Sequence, residues 1–242
     1  GLVDAEETDH IPYYCLHCDA CKSNCPLDLS VCEILRPVRE KLNKADAFPP
    51  AAGGVERNLS RYGSVYGSRA EKVKSTIPLL TGDTKPGADA VLLFLGCVTR
   101  HEHPGIVDAM EKITRRLGEE VYLLEEEICC GGPAMELGLT ELFGEIAGKN
   151  AEIINASEIS RILCGCPTCA YTFRKHYAAS GAEIKAEVLH ISEYLAGNMG
   201  KLGTMALSEL SRVVYHDSCT LARKLGIMEE PRSVIRRIGN VE

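Results

Sequence analysis

Long apolar runs are missing from this sequence. The longest, residues 90–95, is far shorter than the roughly 20 apolar residues that a membrane-spanning helix needs. The first seven residues include acidic side chains but no basic ones, whereas a secretory signal begins with basic residues. We therefore expect a cytoplasmic protein, either free or associated with a membrane through a partner subunit.

Basic clusters and nucleotide-binding glycine patterns are missing too. Lys and Arg total 27 against 34 Asp and Glu, which gives a net charge of -7. This balance argues against nucleic acid as a partner. The pattern G-x-G-x-x-G lies on no strand-to-helix turn, so the sequence offers no flavin or nicotinamide site, and electrons must arrive from a partner.

Cysteine, by contrast, is abundant. A chain of 242 residues with 45% hydrophobic residues can bury a core and needs no disulfide scaffold. The cysteines lie in adjacent pairs and two-residue gaps, a spacing that lets side chains converge on one metal centre. The twelve are Cys15, Cys18, Cys21, Cys25, Cys32, Cys97, Cys129, Cys130, Cys164, Cys166, Cys169 and Cys219.

The first cysteine group, residues 15–26, reads C-x₂-C-x₂-C-x₃-C-P. This is the run of bacterial-type ferredoxins, whose first three thiolates hold one [4Fe–4S] cubane while the fourth serves another cluster. Cys15, Cys18 and Cys21 are the predicted cubane ligands, and Cys25 is a predicted ligand of the other cluster. The alternative is a structural zinc site built from C-x₂-C pairs.

The fourth ligand of this cubane is left open. It is Cys25 or Cys32 in a distorted arrangement, or a cysteine from a run that precedes residue 1. We expect the last, because only fourteen residues precede Cys15 and the chain looks like a piece of a longer one. Cys32 is then a buried core thiol, and His17, between two ligands, lies near the cubane.

The remaining sequence changes pattern along its length. Residues 27–42 are predicted to form a helix that Pro37 kinks or divides, residues 48–54 a linker, and residues 55–86 a turn-rich connector. Strands and helices then alternate, which indicates a parallel α/β sheet. The predicted strands are 91–95, 121–124, 159–164, 186–190 and 212–215, and the predicted helices are 105–117, 139–157 and 168–179.

The second cysteine group follows these strands. Carboxyl ends of parallel strands meet at one rim, where open α/β sheets gather their ligands. We therefore expect six cysteines at this rim. Cys97 follows the first strand, Cys129 and Cys130 the second, Cys166 and Cys169 the third, and Cys219 the strand at 212–215.

Gly131 and Gly132, directly after the adjacent cysteine pair, are predicted cofactor-binding residues, because they let the backbone approach sulfide without a Cβ clash. An adjacent pair also suits a cluster more open than a cubane. The alternative is a redox dithiol of Cys166 and Cys169, with the pair merely buried. Cys164 is predicted to be a packed thiol.

His216 lies beside Cys219, with Asp217 next to it. A histidine has a pKa suited to proton transfer, so His216 is a candidate catalytic proton donor that Asp217 orients. The alternative is a structural histidine.

Together these motifs resemble the CCG-domain iron–sulfur family. The family includes the catalytic subunits of heterodisulfide reductases, and iron–sulfur subunits of anaerobic glycerol-3-phosphate, glycolate and lactate oxidation. The resemblance rests on the segments that end at or contain the second-group cysteines, namely residues 94–97, 126–133, 166–169 and 215–219. It implies a Rossmann-like parallel-sheet CCG domain preceded by a small helical ferredoxin-type domain.

The resemblance also implies a cofactor and a function. A noncubane [4Fe–4S] cluster would be held by Cys97, Cys129, Cys130, Cys166 and Cys169. The chain would be a heterodisulfide reductase-like oxidoreductase subunit that receives electrons from a flavoprotein or iron–sulfur partner, with a membrane subunit or quinone as a further partner. The alternatives are an electron-relay subunit that links a flavoprotein dehydrogenase to quinone or another carrier, and a colourless, metal-free thiol oxidoreductase.

The chain departs from the family in one respect. Members carry two copies of the five-cysteine motif, whereas this chain has one complete copy and the beginning of another, at Cys219. We therefore expect a ferredoxin-type half-module at 1–47, a connector at 48–87, a first CCG domain at 88–205 and a truncated second one at 206–242. Disulfide chemistry that needs two such clusters would not be completed by these residues alone.

Overall fold

The computed structural model describes residues 11–68, 75–81 and 84–242. The acidic N-terminal residues and two parts of the predicted connector, 69–74 and 82–83, lie outside the described residues. Strands and helices alternate from residue 91 onward, and all strands of the main sheet run parallel. The α/β class predicted from the sequence is confirmed.

A five-stranded sheet forms the centre of the chain, in the order β1-β3-β2-β4-β5. Because the chain passes from β2 out to β3 and then returns across β2 to β4, the strand order reverses at β2. Such a reversal opens a crevice beyond the carboxyl ends of the strands. The strands are β1 Leu79–Leu80, β2 Val91–Phe94, β3 Val121–Leu124, β4 Arg161–Cys164 and β5 Glu187–His190.

Both faces of this sheet are covered, which explains why its strands are continuous apolar runs. Along β2, Leu92 and Phe94 pack into one core layer. Val91 and Leu93 pack into the layer on the other face. This alternation follows from the two-residue repeat of a strand.

The helices lie around the sheet and in the N-terminal region. They are α1 Ala20–Ser23, α2 Val31–Lys44, α3 Pro50–Tyr62, α4 Cys97–Glu102, α5 Pro104–Arg116, α6 Gly132–Leu137, α7 Thr140–Ala156, α8 Pro167–Tyr171, α9 Ile191–Gly197, α10 Met199–Leu202 and α11 Glu229–Arg236. A 3₁₀ helix spans Ile11–Tyr14, and π-helices span Thr172–Tyr177 and Cys219–Lys224. The predicted helix 168–179 is therefore α8 followed by a π-helix, a form that is frequent at functional sites.

The division of the helix at Pro37 does not occur, since Pro37 lies inside α2 with its ring exposed, whereas the predicted linker was wrong. The predicted linker at 48–54 contains the start of α3, because Pro50 occupies the first turn, where its missing N–H costs nothing. The connector also supplies β1, at the edge of the sheet.

The predicted strand at 212–215 was also wrong. The strand in this region is β6 Met205–Ser211, which pairs in parallel with β7 Ile238–Val241 in a separate two-stranded sheet. Val213 and Val214 are exposed, the latter at 99%, so their apolar character reflects no buried strand. Cys219 consequently follows no strand of the main sheet.

A buried hydrogen-bonded pair ties the helix layer to the sheet edge. The Tyr177 hydroxyl donates to the Cys130 carbonyl at 2.9 Å. The Asn150 side-chain amide donates to the Cys129 carbonyl and to the Tyr177 oxygen, both at 3.0 Å. Tyr177 and Asn150 are almost fully buried, so both cysteine carbonyls are satisfied without water.

Replacement of Tyr177 by Phe should therefore destabilise the fold. The change leaves the Cys130 carbonyl without its buried donor, which costs about 1–3 kcal/mol. Urea unfolding followed by circular dichroism measures this loss. Tyr14→Phe is the matched control, because Tyr14 is 79% exposed and its replacement should leave the free energy of unfolding unchanged. An equal effect of both changes would refute the role of the buried hydroxyl.

Candidate metal centre

Five cysteines meet beyond the carboxyl ends of three neighbouring strands. Cys97 begins α4, with only Leu95 and Gly96 between it and β2. Cys129 and Cys130 lie between β3 and α6. Cys166 caps α8 and Cys169 lies within it, shortly after β4. The reversal of strand order at β2 therefore brings the five together at one crevice.

Their thiols form a continuous set of contacts. The Cys97 and Cys129 sulfurs are 3.9 Å apart. Cys130 hydrogen-bonds with both Cys129 and Cys169, and Cys169 does so with Cys166. All are free thiols. The contacts run from one thiol to the next, and within the described ranges no three His, Cys, Asp or Glu side chains are placed to hold one metal ion between them.

These hydrogen bonds lower the pKa of some of the thiols and raise the pKa of others. The hydrogen bond from Cys169 lowers the pKa of Cys166 to about 7 against the effect of burial. Hydrogen bonding to Cys129 and Cys169 likewise lowers the pKa of Cys130. The pKa values of Cys129 and Cys169 are raised, by those same hydrogen bonds and by burial. Thiols packed this closely cannot all ionise unless a cation compensates them.

Gly132 and Gly96 leave room beside sulfurs, whereas Gly131 is required by its left-handed backbone and by the packing of Phe143. A Cβ on Gly132 would lie 2.7 Å from Thr172 Oγ1 and 3.5 Å from the Cys130 sulfur. Gly131 has φ +83°, and a Cβ there would lie 2.9 Å from Phe143 Cδ2. Gly96, which the sequence reasoning missed, would place a Cβ 3.1 Å from the Cys169 sulfur. Thiol donors beside such uncrowded backbone fit an iron–sulfur cluster.

Glu127 fixes the loop that carries the cysteine pair. Its carboxylate accepts from the backbone N–H groups of Leu95 and Gly96, both at 2.9 Å. Its own carbonyl accepts from Arg100 Nη1 at 2.6 Å. Burial raises the pKa of Glu127 to about 7 against the opposing effects of Arg100 and the two backbone donors. The loops after β2 and β3 are thereby held together.

A cleft of about 400 Å³ opens beside two of these thiols. Cys97 and Cys129 form part of its wall, together with Arg100, Glu127 and Lys149. A small molecule that entered this cleft would reach the cysteine set from one side.

The first cysteine run lies in the N-terminal region and is more accessible. Cys15, Cys18 and Cys25 are partly exposed, and Cys21, on α1, is exposed. Two arginines hold the run's backbone. Arg39 Nη2 donates to the Cys15 carbonyl at 2.6 Å, and Arg223 Nε donates to the Cys18 carbonyl at 2.7 Å.

Cys32 differs from the four cysteines of the run because it is only 2% exposed. Burial and a hydrogen bond with Asp19 raise its pKa to about 12. The thiol is thus strongly protonated, which agrees with the expectation of a core thiol. Cys164 is fully buried in the sheet and has a raised pKa, chiefly from burial.

The structure separates the remaining predicted site residues. Cys219 begins a π-helix that packs against α8. This π-helix follows no strand of the main sheet, so Cys219 does not share the placement of the other five cysteines. His216 is exposed. The Asp217 carboxylate pairs with the Arg232 guanidinium rather than with His216. The expectation that six cysteines follow strands of one sheet holds for five of them.

Comparisons with known proteins agree with this site. Residues 91–174 match a family model described as a cysteine-rich domain, CCG. The chain is 28% identical to one subunit of the fumarate reductase (CoM/CoB) of Methanothermobacter marburgensis, over 95% of the chain and 45% of that protein. It is 26% identical to one subunit of the dihydromethanophenazine:CoB–CoM heterodisulfide reductase of Methanosarcina acetivorans, over 99% and 60%. It is 27% identical to EtfAB:quinone oxidoreductase of Syntrophomonas wolfei, over 93% and 33%.

The resemblance to CCG-domain iron–sulfur proteins that the motifs predict is confirmed by these matches. The chain spans 33% to 60% of the length of these relatives. No solved structure matches it. In the part of the chain that the structure describes, no helix is long and apolar enough to cross a membrane.

Gly131→Ala should destabilise the loop that carries the cysteine pair. The added methyl group would meet Phe143 in a left-handed conformation, which costs about 1–3 kcal/mol. Gly144→Ala is the control, since an added Cβ there has no neighbour within 4 Å and a helical alanine should stabilise α7 by about 0.5–1 kcal/mol. Chemical unfolding of both variants measures the two free energies, and effects of the same sign would contradict the assignment.

Proposed function

We propose that the chain is an iron–sulfur oxidoreductase subunit that passes electrons to a disulfide substrate. One observation carries the proposal: five thiols converge at the crevice of the sheet, and two of them line an open cleft. Thiolates at such an edge hold iron–sulfur clusters, and the cleft gives a substrate access to them. The matched cysteine-rich domain and the oxidoreductase relatives support a redox role.

The five cysteines at the sheet edge would hold a noncubane [4Fe–4S] cluster, with Gly132 leaving room beside the Cys130 sulfur and Gly131 allowing the left-handed turn of the loop. The first run would hold a cubane through Cys15, Cys18 and Cys21. When bound, these clusters supply electrons one at a time. Cys25 and Cys219 would each be one ligand of a further cluster whose other ligands are not among these cysteines. The proposal also includes a second CCG domain that begins near residue 206.

The reaction is the two-electron reduction of a disulfide. One S–S bond breaks, two electrons and two protons enter, and two thiols leave. The chain's own residues supply the cleft and its charged wall, which includes Arg100 and Lys149. His216, the proton donor suggested by the sequence, is exposed and does not line this cleft, so the proposal assigns the protons to solvent that enters the cleft.

Electrons would come from a partner subunit, either a flavoprotein or another iron–sulfur protein, in the cytoplasm. Relatives whose names describe them as subunits of larger enzymes support a subunit role. The second candidate function is a relay that passes electrons from a flavoprotein to quinone. It is favoured by the similarity to EtfAB:quinone oxidoreductase.

Cys130→Ser should remove the cluster of the second group and leave the first group unaffected. Cys130 contacts two of the other thiols, so its replacement interrupts the series of five thiols and separates Cys97 and Cys129 from Cys166 and Cys169. Iron and sulfide analysis of anaerobically purified protein, with electron paramagnetic resonance, measures the loss. Cys164→Ala, a buried thiol outside the set, should keep the full iron content. A Cys130 variant with unchanged iron and spectrum would refute the five-ligand assignment.

The substrate is tested with the full-length protein and its donor subunit. We expect turnover of a thiol-derived heterodisulfide such as that of CoM and CoB, measured as free thiol released per electron pair consumed. If quinone is reduced while every disulfide tested stays intact, the relay function replaces the reductase function.

A further inference from the structure

A carboxylate contact joins the first cysteine run to the helix that follows Cys129 and Cys130. The Glu136 carboxylate, on α6, pairs with His17 Nδ1, which lies between Cys15 and Cys18. Its other oxygen lies 3.2 Å from Lys224 Nζ, on the π-helix that begins at Cys219. The carboxylate of a residue on the helix after Cys129 and Cys130 therefore contacts a side chain from each of the other two cysteine-bearing segments.

The three side chains are shielded from solvent. The exposed fraction of the side chain is 3% for His17, 5% for Lys224 and 25% for Glu136. Burial alone would raise the pKa of Glu136, but the hydrogen bond from His17 and the charge of Lys224 outweigh it and lower this pKa to about 2. The carboxylate is thus ionised at neutral pH, and removing it would leave the Lys224 charge buried without its partner.

Neighbouring contacts reinforce the same junction. Arg39 Nη1 donates to the backbone carbonyl of Glu136 at 2.6 Å and extends through Nη2 to the Cys15 carbonyl. The backbone of α2 also packs directly on Gly138, where a Cβ would lie 2.5 Å from the Glu40 nitrogen. The junction therefore has little room to shift.

We propose that Glu136 is a positioning residue that holds the first cysteine run, and the helix beginning at Cys219, against the helix after Cys129 and Cys130. Its recorded side-chain contacts are to His17 and Lys224 and to no cysteine side chain, so it acts through these two residues. The consequence for electron transfer rests on the proposed function: the two cysteine groups would hold clusters that exchange one electron at a time, with no bond made or broken. Since tunnelling rates fall steeply with distance, a loosened junction would slow this exchange.

Hydrogen exchange of the full chain tests the positioning directly. In Glu136→Ala, peptides covering residues 15–24 and 219–226 should exchange about tenfold faster, while peptides from β2 and β4 keep their protection. Glu136→Gln keeps the size and a hydrogen-bonding oxygen but not the charge, so it should restore protection of 15–24 more than that of 219–226, where the Lys224 charge stays without its partner. Lys224→Met should loosen 219–226 more than 15–24. Glu152→Ala, an exposed glutamate on α7, is the matched control.

Unchanged exchange in Glu136→Ala would overturn the proposal. So would a uniform rise that includes the sheet, since that outcome shows a general loss of stability rather than a local one. These measurements need no bound cluster, so they separate the positioning role from the proposed function.

The electron-transfer consequence is measured on protein with its clusters loaded. After mixing with limiting dithionite and freeze-quenching, the second cluster should be reduced about tenfold more slowly in Glu136→Ala at equal iron content. A rate equal to that of the wild type would overturn this consequence. If the wild type binds iron at neither group, the proposed function fails, while the exchange result still decides the role of Glu136.

Discussion

The crowding of five thiols at one edge of a parallel sheet is the constraint on which the rest of the structure depends. Burial disfavours charged thiolates, yet hydrogen bonds between neighbouring thiols favour charge on some of them, so the pKa values of Cys130 and Cys166 fall while those of Cys129 and Cys169 rise. A bound metal, as proposed, would resolve this conflict, because a coordinated thiol is deprotonated outright. The parallel strands keep the thiols together by fixing where each loop begins.

These loops stay fixed only if the backbone N–H and C=O groups around the cysteines find hydrogen-bond partners within the protein. Asn150 and Tyr177 occupy the carbonyls of the cysteine pair, and Glu127 binds the backbone after β2. These partners bind main-chain atoms, so they set the positions of the cysteines while leaving the sulfurs available. Orienting contacts of this kind are a general feature of metal sites.

The sequence predicted the elements that depend on local pattern and missed those that depend on tertiary contact. Strands β2 to β4 are short apolar runs followed by cysteines, so their position and the sheet edge could be predicted. Val213 and Val214 show the same apolar pattern but are exposed, and a single sequence does not distinguish these cases. The burial of Arg39 could not be predicted from the sequence either, because it depends on backbone carbonyls far away in the sequence that need hydrogen-bond donors. The contacts of Glu136 could not be predicted, because its segment has the ordinary sequence of a short helix.

The junction between the two cysteine groups differs in kind from the core of the sheet. The core is held by apolar contact, which is strong but non-directional. At the junction α2 turns the guanidinium of Arg39 inward, while Ile34 and Val38 on the same helix are exposed. Desolvating a guanidinium is costly, and carbonyl acceptors on Pro12, Cys15 and Glu136 offset that cost only in one arrangement. These directional hydrogen bonds therefore fix how the first cysteine group is aligned with the second. Apolar packing alone would allow the two segments to shift relative to each other.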